Sequence, residues 1–140
     1  MAGYSGTPLP KKLGIFAASR VSLVGAPAGF RRTLGKLPAQ VDVRTDLRSG
    51  SLDVIVYFTK RAAELRRRFP LIARRMSESG GFWVAWPKKA SGVATDVTEG
   101  IVRETGLKAG LVDNKICAVD EVWSGLRFVI RVENRKGRRR

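Results

Sequence analysis

The sequence predicts one α/β domain with a Rossmann-like, three-layer architecture around a mostly parallel sheet of about six strands. Two continuous apolar runs, at residues 53–58 and 82–86, have the pattern of strands buried on both faces of a parallel sheet. Residues 111–119 and 125–132 form two further strand patterns, joined by too few residues for a crossover helix. The order therefore predicts three β-to-helix units followed by an antiparallel C-terminal hairpin.

The first unit begins with a short β-rich run at residues 20–24, which ends at Gly25. A helix is expected to follow as far as about Leu37, with Pro27 acceptable in its first turn. Residues 41–45 then alternate in polarity, as an edge strand does.

The second unit joins the buried run at residues 53–58 to an amphipathic helix that Thr59 can cap. Pro70 is expected to kink this helix. Its apolar stripe, at the helical period, consists of Leu65, Phe69, Ile72 and Met76. Its opposite, basic face consists of Arg66, Arg67, Arg68, Arg74 and Arg75.

The third unit follows a Ser-Gly-Gly segment, residues 79–81, that is expected to end the preceding helix. After the strand at residues 82–86, Asp96 and Glu99 have capping-box spacing. This spacing predicts a helix that opens at Asp96, runs through Thr105 and is terminated by the next residue, a glycine.

The length and composition are those of one domain, and composition also indicates which residues at the two ends lie outside that domain. With 140 residues, 44% of them hydrophobic, the chain can bury a core without disulfides. We expect an irregular arm at residues 1–12, the α/β domain at 13–132 and a basic flexible tail at 133–140. The N-terminus lacks a signal-like apolar core, and no stretch approaches the ~20 apolar residues of a membrane span. Together with the single cysteine, Cys117, these features favour a cytoplasmic protein.

The loop that follows the predicted strand at residues 82–86 is the main candidate site. Ligands of open α/β sheets bind beyond the carboxyl ends of the strands, and two lysines beside a helix start can hold an anion there. Trp86 and Trp123 can wall this site, whereas Trp83 is expected in the core. The alternative is a solvated loop in which Asp96 occupies the helix amides. The candidate anion site comprises Trp86, Lys88, Lys89, Ser91, Gly92 and Thr95.

The residue types argue against catalysis. Histidine is absent and no nucleophile has an evident base partner, so no catalytic residue, metal site or cofactor is predicted. Cys117 lies within a strand pattern and is expected to be a small buried residue. Asp120 and Glu121 would point to opposite strand faces, and either can pair with Lys88 or Lys89. We therefore expect a non-catalytic binding module whose partner is an anionic small molecule or protein.

The charge of the chain supports an alternative function in nucleic-acid binding. The 27 Lys and Arg residues outnumber the 12 Asp and Glu, giving a formal net charge of +15 and attraction to polyanions. No recognised reading motif is present, so nonspecific association through the tail and the basic helix face is the expectation. The candidate tail residues are Arg135, Lys136, Arg138, Arg139 and Arg140.

The order of elements, with a Gly-Gly pair before the strand at residues 82–86 and an antiparallel final pair, resembles a shortened class I S-adenosylmethionine-dependent methyltransferase. The resemblance implies an acid and a run of glycines after the first strand, but here only Gly25 and Gly29 follow it. Asp46 can imitate the acid that holds a ribose, or can lie in a turn with Arg48. A degenerate methyltransferase-like enzyme is thus an alternative function, and we expect no useful affinity for S-adenosylmethionine.

Four stretches of sequence are similar to a bacterial family defined as domain of unknown function 3052. They are residues 4–14, 83–93, 95–96 and 117–126. On these stretches the chain is identified as a member of that family. The resemblance implies a compact α/β domain and carries no activity, cofactor or catalytic residue. The arginine-rich tail is outside the pattern.

Overall fold

The computed structural model describes residues 6–48 and 50–135 of the chain, and a six-stranded sheet organises them. The order across the sheet is β2-β1-β3-β4-β6-β5. The first four of these strands are parallel, while β6 runs antiparallel to both β4 and β5. The predicted fold class, sheet size and antiparallel end are therefore confirmed. The strands are β1 (Arg20–Val24), β2 (Asp42–Arg44), β3 (Leu52–Phe58), β4 (Met76–Pro87), β5 (Leu111–Ala118) and β6 (Trp123–Ile130).

Helices cover both faces of the sheet and complete three layers. The core on one face joins side chains of α1 and α2 to the sheet, and the core on the other face joins α3 and α4 to it. The helices are α1 (Leu9–Leu13), α2 (Phe30–Leu34), α3 (Ala62–Ala73) and α4 (Glu99–Lys108). Helix α1 corrects the expectation of a wholly irregular arm at residues 1–12. Residues 136–140 of the expected tail lie outside the described residues.

The central strand β3 shows why its apolar pattern is continuous. Val54, Val56 and Phe58 pack toward α1 and α2, whereas Ile55 and Tyr57 pack toward α3 and α4. Successive side chains of a strand point to opposite faces, so a strand covered on both faces is apolar throughout. Each fully buried side chain of this kind contributes about 1.5–3 kcal/mol.

Several element boundaries differ from the sequence-based expectations. Helix α2 stops at Leu34 because Gly35, with φ of 81°, turns the chain away before Leu37. Helix α3 contains Pro70 and ends at Ala73, and not at the Ser-Gly-Gly segment.

That segment instead lies within β4, which starts at Met76. Gly80 is required there, because a Cβ would stand 2.9 Å from the carbonyl oxygens of Leu52 and Asp53. The glycine pair therefore permits close strand packing, and does not end a helix.

Candidate functional site

The strand order places at the carboxyl ends of β1 and β3 the edge at which α/β sheets commonly bind ligands. Strand β2 lies on one side of β1 and β3 on the other, and α/β sheets bind ligands where the connections diverge in this way. Gly25 leaves β1 with φ of 70°, and a Cβ on it would lie 3.0 Å from the carbonyl oxygen of Phe58. The loop after β1 is thus seated directly on the end of β3.

The candidate cofactor loop contains little free polar chemistry. Gly29 has φ of 84° and is the N-cap residue of α2. The exposed Asp46 accepts a hydrogen bond on its carboxylate from the Arg48 amide at 3.1 Å. Its carbonyl oxygen accepts another from Ser22 Oγ at 2.6 Å. The Asp46 side chain is therefore held in its own turn, which is the alternative that the sequence left open.

The loop after β4 is closed by hydrogen bonds within itself. The Lys88 amide donates to the Val122 carbonyl at 2.7 Å, which fixes the loop to the β5–β6 turn. Ser91 Oγ donates to the Lys88 carbonyl at 2.6 Å and accepts from the Val93 amide at 3.2 Å. Gly92, with φ of 75°, ends the short 3-10 turn at Lys89–Ser91. The Ser91 hydroxyl is used in shaping the loop.

The second half of this loop is bonded to the end of β3 and the start of α3. Thr95 Oγ1 donates to the Lys60 carbonyl at 2.7 Å and accepts from the Val97 amide at 3.0 Å. Asp96 Oδ1 accepts from the Ala62 amide at 2.7 Å. Asp96 thus serves the first turn of α3, which lies 34 residues earlier in the chain.

This bond corrects two predicted helix caps. Asp96 does not open α4; the N-cap residue is Thr98, whose Oγ1 accepts from the Ile101 amide at 3.2 Å. Thr59 is not the N-cap of α3, a position that Arg61 holds. The capping-box spacing misleads because Asp96 accepts instead from the Ala62 amide, in the first turn of a neighbouring helix.

Four cationic side chains lie along the carboxyl edge of β3 and β4. Lys60 and Arg61 follow β3, and Lys88 and Lys89 follow β4. Lys88 is half-buried and the other three are exposed. Within the described residues, none of these four side chains takes part in an ion pair or hydrogen bond. Their charges are therefore available to a ligand.

The three tryptophans are divided between the two faces of the sheet. Trp83 is fully buried and donates through Nε1 to the Leu13 carbonyl at 3.0 Å, which confirms its place in the core. Trp86 is 6% exposed and packs on the α3 and α4 side. Trp123 is 9% exposed and packs on the other side, with its ring edge-to-face to Phe58 at 5.1 Å. The expectation that Trp86 and Trp123 wall one rim is wrong.

The acidic and thiol groups are arranged differently from the expectations. Asp120 lies in the β5–β6 turn, where its Oδ1 accepts from the amides of Val122 and Trp123, each at 2.8 Å. Among the described residues, neither Asp120 nor Glu121 forms an ion pair with the loop lysines.

Cys117 is half-buried, because its strand β5 lies at the edge of the sheet. Burial raises the pKa of its thiol, and the ammonium groups of Lys12 and Lys115 oppose the shift only in part. The thiol is therefore a poor nucleophile at neutral pH. Across the part of the chain that the structure describes, no three Cys, Asp or Glu side chains are grouped as a metal site requires.

A polar network beneath the end of β3 was missed from the sequence. The buried Tyr57 donates through its phenol oxygen to Glu64 Oε2 at 2.8 Å, and Thr59 Oγ1 donates to the same oxygen at 3.3 Å. The guanidinium of Arg68 lies 5.3 Å from the centre of the Tyr57 ring. Burial first, and then Glu64, raise the pKa of Tyr57 to about 12. The available signal was a tyrosine inside an apolar run, since a buried phenol needs a partner.

A cavity of about 470 Å³ was also missed. It lies between the start of α1, the end of α2 and the β5–β6 turn. These three segments are far apart in sequence, so no local pattern indicates that they meet.

In the described part of the chain, every helix is too short or too polar to cross a bilayer.

Comparison with known proteins identifies the class of fold. No family model matches the chain, and no curated protein matches it. Solved structures do match. A SAM-dependent methyltransferase from Aquifex aeolicus has a TM-score of 0.62 and 13% sequence identity, covering 90% of this chain and 89% of its own.

Two other matches belong to the same class. Magnesium protoporphyrin IX methyltransferase from Synechocystis PCC 6803, with bound SAH, has a TM-score of 0.56 and 11% identity, covering 81% of this chain and 75% of its own. Fibrillarin from Aeropyrum pernix, with natively bound S-adenosyl-L-methionine, has a TM-score of 0.54 and 12% identity, covering 91% of this chain and 70% of its own. The chain therefore has the fold of class I S-adenosylmethionine-dependent methyltransferases. Membership of the domain-of-unknown-function family stays a prediction.

Proposed function

We propose that this protein is a binding module on a methyltransferase-like fold, and that it holds an anionic group of a ligand or partner protein at the carboxyl edge of β3 and β4. The charges come from Lys88 and Lys89, with Lys60 and Arg61 beside them. One observation carries the proposal: the loop after β4 satisfies its own hydroxyl and carboxylate groups and leaves its cations without a partner in the described residues.

The loop after β4 is already held by hydrogen bonds, which lowers the entropy cost of binding a ligand at the carboxyl edge of β3 and β4. Thr95 and Asp96 attach it to the end of β3 and the start of α3, so ordering the loop does not oppose association. A contact from an ammonium group to an anion contributes about 1.5–3 kcal/mol when desolvated and less when exposed. Ser91 and Thr95 act in this proposal as supports for the loop, because their hydroxyls are engaged inside it.

Titration with a simple anion tests the site directly. Pyrophosphate is added to the ¹⁵N-labelled protein, and amide shifts are followed along residues 86–97 and 59–62. Lys88→Gln/Lys89→Gln should weaken the saturable shifts by about tenfold, as expected for the loss of about 1.4 kcal/mol. Lys11→Gln/Lys108→Gln is the matched control, since it removes two exposed lysines from other parts of the surface. Equal weakening by both pairs would mean that the anion responds only to net charge.

Native mass spectrometry of protein purified gently from its own host then identifies the ligand or partner. We expect a copurifying species that the Lys88→Gln/Lys89→Gln protein has lost. A folded double variant that retains every species would remove the loop from the function.

A degenerate methyltransferase-like enzyme is the second candidate, and the comparisons with solved structures support it better than they support a binding module. Its support is the fold shared with structures that contain SAM or SAH, together with the divergent connections at β1 and β3. Against it stand the Asp46 carboxylate, engaged in its own turn, and the absence of an acid after β1. Calorimetry with S-adenosylmethionine decides: we expect no saturable heat at micromolar concentration. Saturable binding that Asp46→Ala abolishes would contradict this expectation and favour the second candidate.

We also propose that the chain belongs to the domain-of-unknown-function family 3052. Parts of two of the matching stretches, at residues 4–14 and 117–126, meet in space as walls of the same cavity. This proximity supports the idea that the stretches form one structural unit.

A further inference from the structure

The cavity between α1, α2 and the β5–β6 turn has fixed apolar walls. Leu34, at the end of α2, and Val119, in the β5–β6 turn, are buried core residues that line it, and Leu9 and Pro10 line it from α1. Its volume of about 470 Å³ falls in the range of roughly 300–1,000 Å³ that is usual for small-molecule sites.

Hydrogen bonds hold α1 and the β5–β6 turn in place without a ligand. Lys12 Nζ donates to the Ala118 carbonyl at 3.0 Å, and Lys115 Nζ donates to the Lys12 carbonyl at 3.2 Å, which joins α1 to β5. The bond from the Trp83 indole to the Leu13 carbonyl attaches α1 to the sheet. The turn is fixed through the Asp120 carboxylate. The cavity is therefore preformed, which lowers the cost of binding.

Charges of both signs lie on the cavity walls. Lys12 and Lys36 line it together with Asp120 and Glu121. None of the ion pairs within the described residues joins these four side chains to one another. Two basic and two acidic residues thus line one apolar cavity without forming ion pairs with one another in the described part of the chain.

We propose that this cavity binds a small zwitterion with an apolar body, such as an apolar dipeptide. Leu9, Leu34 and Val119 receive the apolar body. The ammonium group meets Glu121 and the carboxylate oxygen of Asp120 that does not hold the turn, and the carboxylate meets Lys36 and the remaining donors of Lys12. A ligand with only one charge would satisfy one pair and leave the other pair without an opposite charge, so the zwitterion is preferred.

The test uses three forms of one ligand against matched variants. The dipeptide Leu-Phe, its N-acetyl form and its C-terminal amide are titrated into ¹⁵N-labelled protein. We expect saturable shifts at residues 33–36 and 118–122. Removal of either terminal charge should weaken binding by about two- to fivefold, the range of partly exposed charge pairs.

The variants assign each charge to its partner. With Glu121→Gln the acetyl group should weaken binding less than it does in the parent, because only Asp120 remains to meet the ammonium group. With Lys36→Gln the amide should likewise weaken binding less, because only Lys12 remains to meet the carboxylate. The exposed Glu104→Gln and Lys108→Gln are the controls, and both should behave like the parent protein. Three ligand forms of equal affinity, shifts outside the cavity, or no saturation at millimolar dipeptide would each overturn the proposal.

Discussion

Two loops leave the same edge of the sheet, one after β1 and one after β4, and they offer a ligand different chemistry. The loop at residues 25–29 contains no charged side chain, and Pro27 lacks an amide donor. It is held by backbone contact, with Gly25 against the carbonyl of Phe58. The loop at residues 87–95 carries Lys88 and Lys89 and is held by its own side chains. The parallel strands bring both loops to the same carboxyl edge of the sheet, but only the loop after β4 has charged side chains that could hold an anion.

The largest expected effect tests how the first loop is held. Gly25 and Gly92 have φ of 70° and 75°, but only at Gly25 would a Cβ meet another atom within 4 Å, the Phe58 carbonyl oxygen at 3.0 Å. Gly92→Ala should lower the free energy of unfolding by about 1–2 kcal/mol, the cost of left-handed backbone. Gly25→Ala should cost about 1 kcal/mol more, because the end of β3 must shift. Urea denaturation measures both, and equal losses would mean that the contact is not restrictive.

A second test concerns the network between the two loops. Tyr57→Phe removes the phenol that donates to Glu64, with an expected loss of about 1–2 kcal/mol at pH 7. The folded pKa of Tyr57, about 12, lies above its ordinary value of 10.0. The contribution of the neutral phenol is therefore complete below pH 10 and is lost as the pH rises through 12.

Denaturation at several pH values checks the sign of this dependence. The parent protein should lose stability between pH 10 and 12, relative to Tyr57→Phe, which lacks the titrating group. The phenylalanine variant keeps the aromatic ring in the core, so the two proteins differ at this position only by the hydroxyl. If the free energies of unfolding of the two proteins changed with pH in the same way, a raised pKa for Tyr57 would be contradicted.

A third, smaller effect separates the support of the second loop from its charges. Asp96→Ala should lower stability by about 1 kcal/mol, because the Ala62 amide loses its acceptor. Thr98→Ala removes the cap of α4 at a similar cost and serves as the control. Only Asp96→Ala should also speed amide hydrogen exchange at residues 93–97, since only Asp96 joins the loop to α3. Equal exchange in the two variants would show that Asp96 does not hold the loop.

The sequence predicted the sheet better than the site, for identifiable physical reasons. The run at residues 53–58 and strand β3 nearly coincide, because burial on both faces leaves a continuous apolar pattern. Asp96 was assigned to the helix nearest in sequence, whereas its partner amide is at Ala62. The faces of Trp86 and Trp123 depend on strand register, in which Trp86 pairs with Ser124 and not with Trp123. Such long-range pairings leave no periodic signal in the chain.

The smallest effect is expected for the loop lysines in nucleic-acid binding. This last test distinguishes a site formed by the loop cations from a general positive surface potential to which they only contribute. Binding of a DNA oligonucleotide is measured across a range of salt concentrations for three proteins: the parent, Lys88→Gln/Lys89→Gln, and a chain ending at Val132. The truncation removes Arg135, Lys136, Arg138, Arg139 and Arg140. Each phosphate neutralised contributes about −0.9 to the slope of log K against log salt, so removing these five cations should flatten the slope by up to about 4.5.

The loop variant should leave this slope almost unchanged, although it weakens pyrophosphate binding. That pair of results would separate a site for a small anionic group from diffuse attraction to a polyanion. If the truncated chain keeps the slope of the parent and the loop variant flattens it, the loop cations belong to a nucleic-acid surface. The two loops would then differ only in surface charge, and the loop after β4 would not be a specific site for a small anionic ligand.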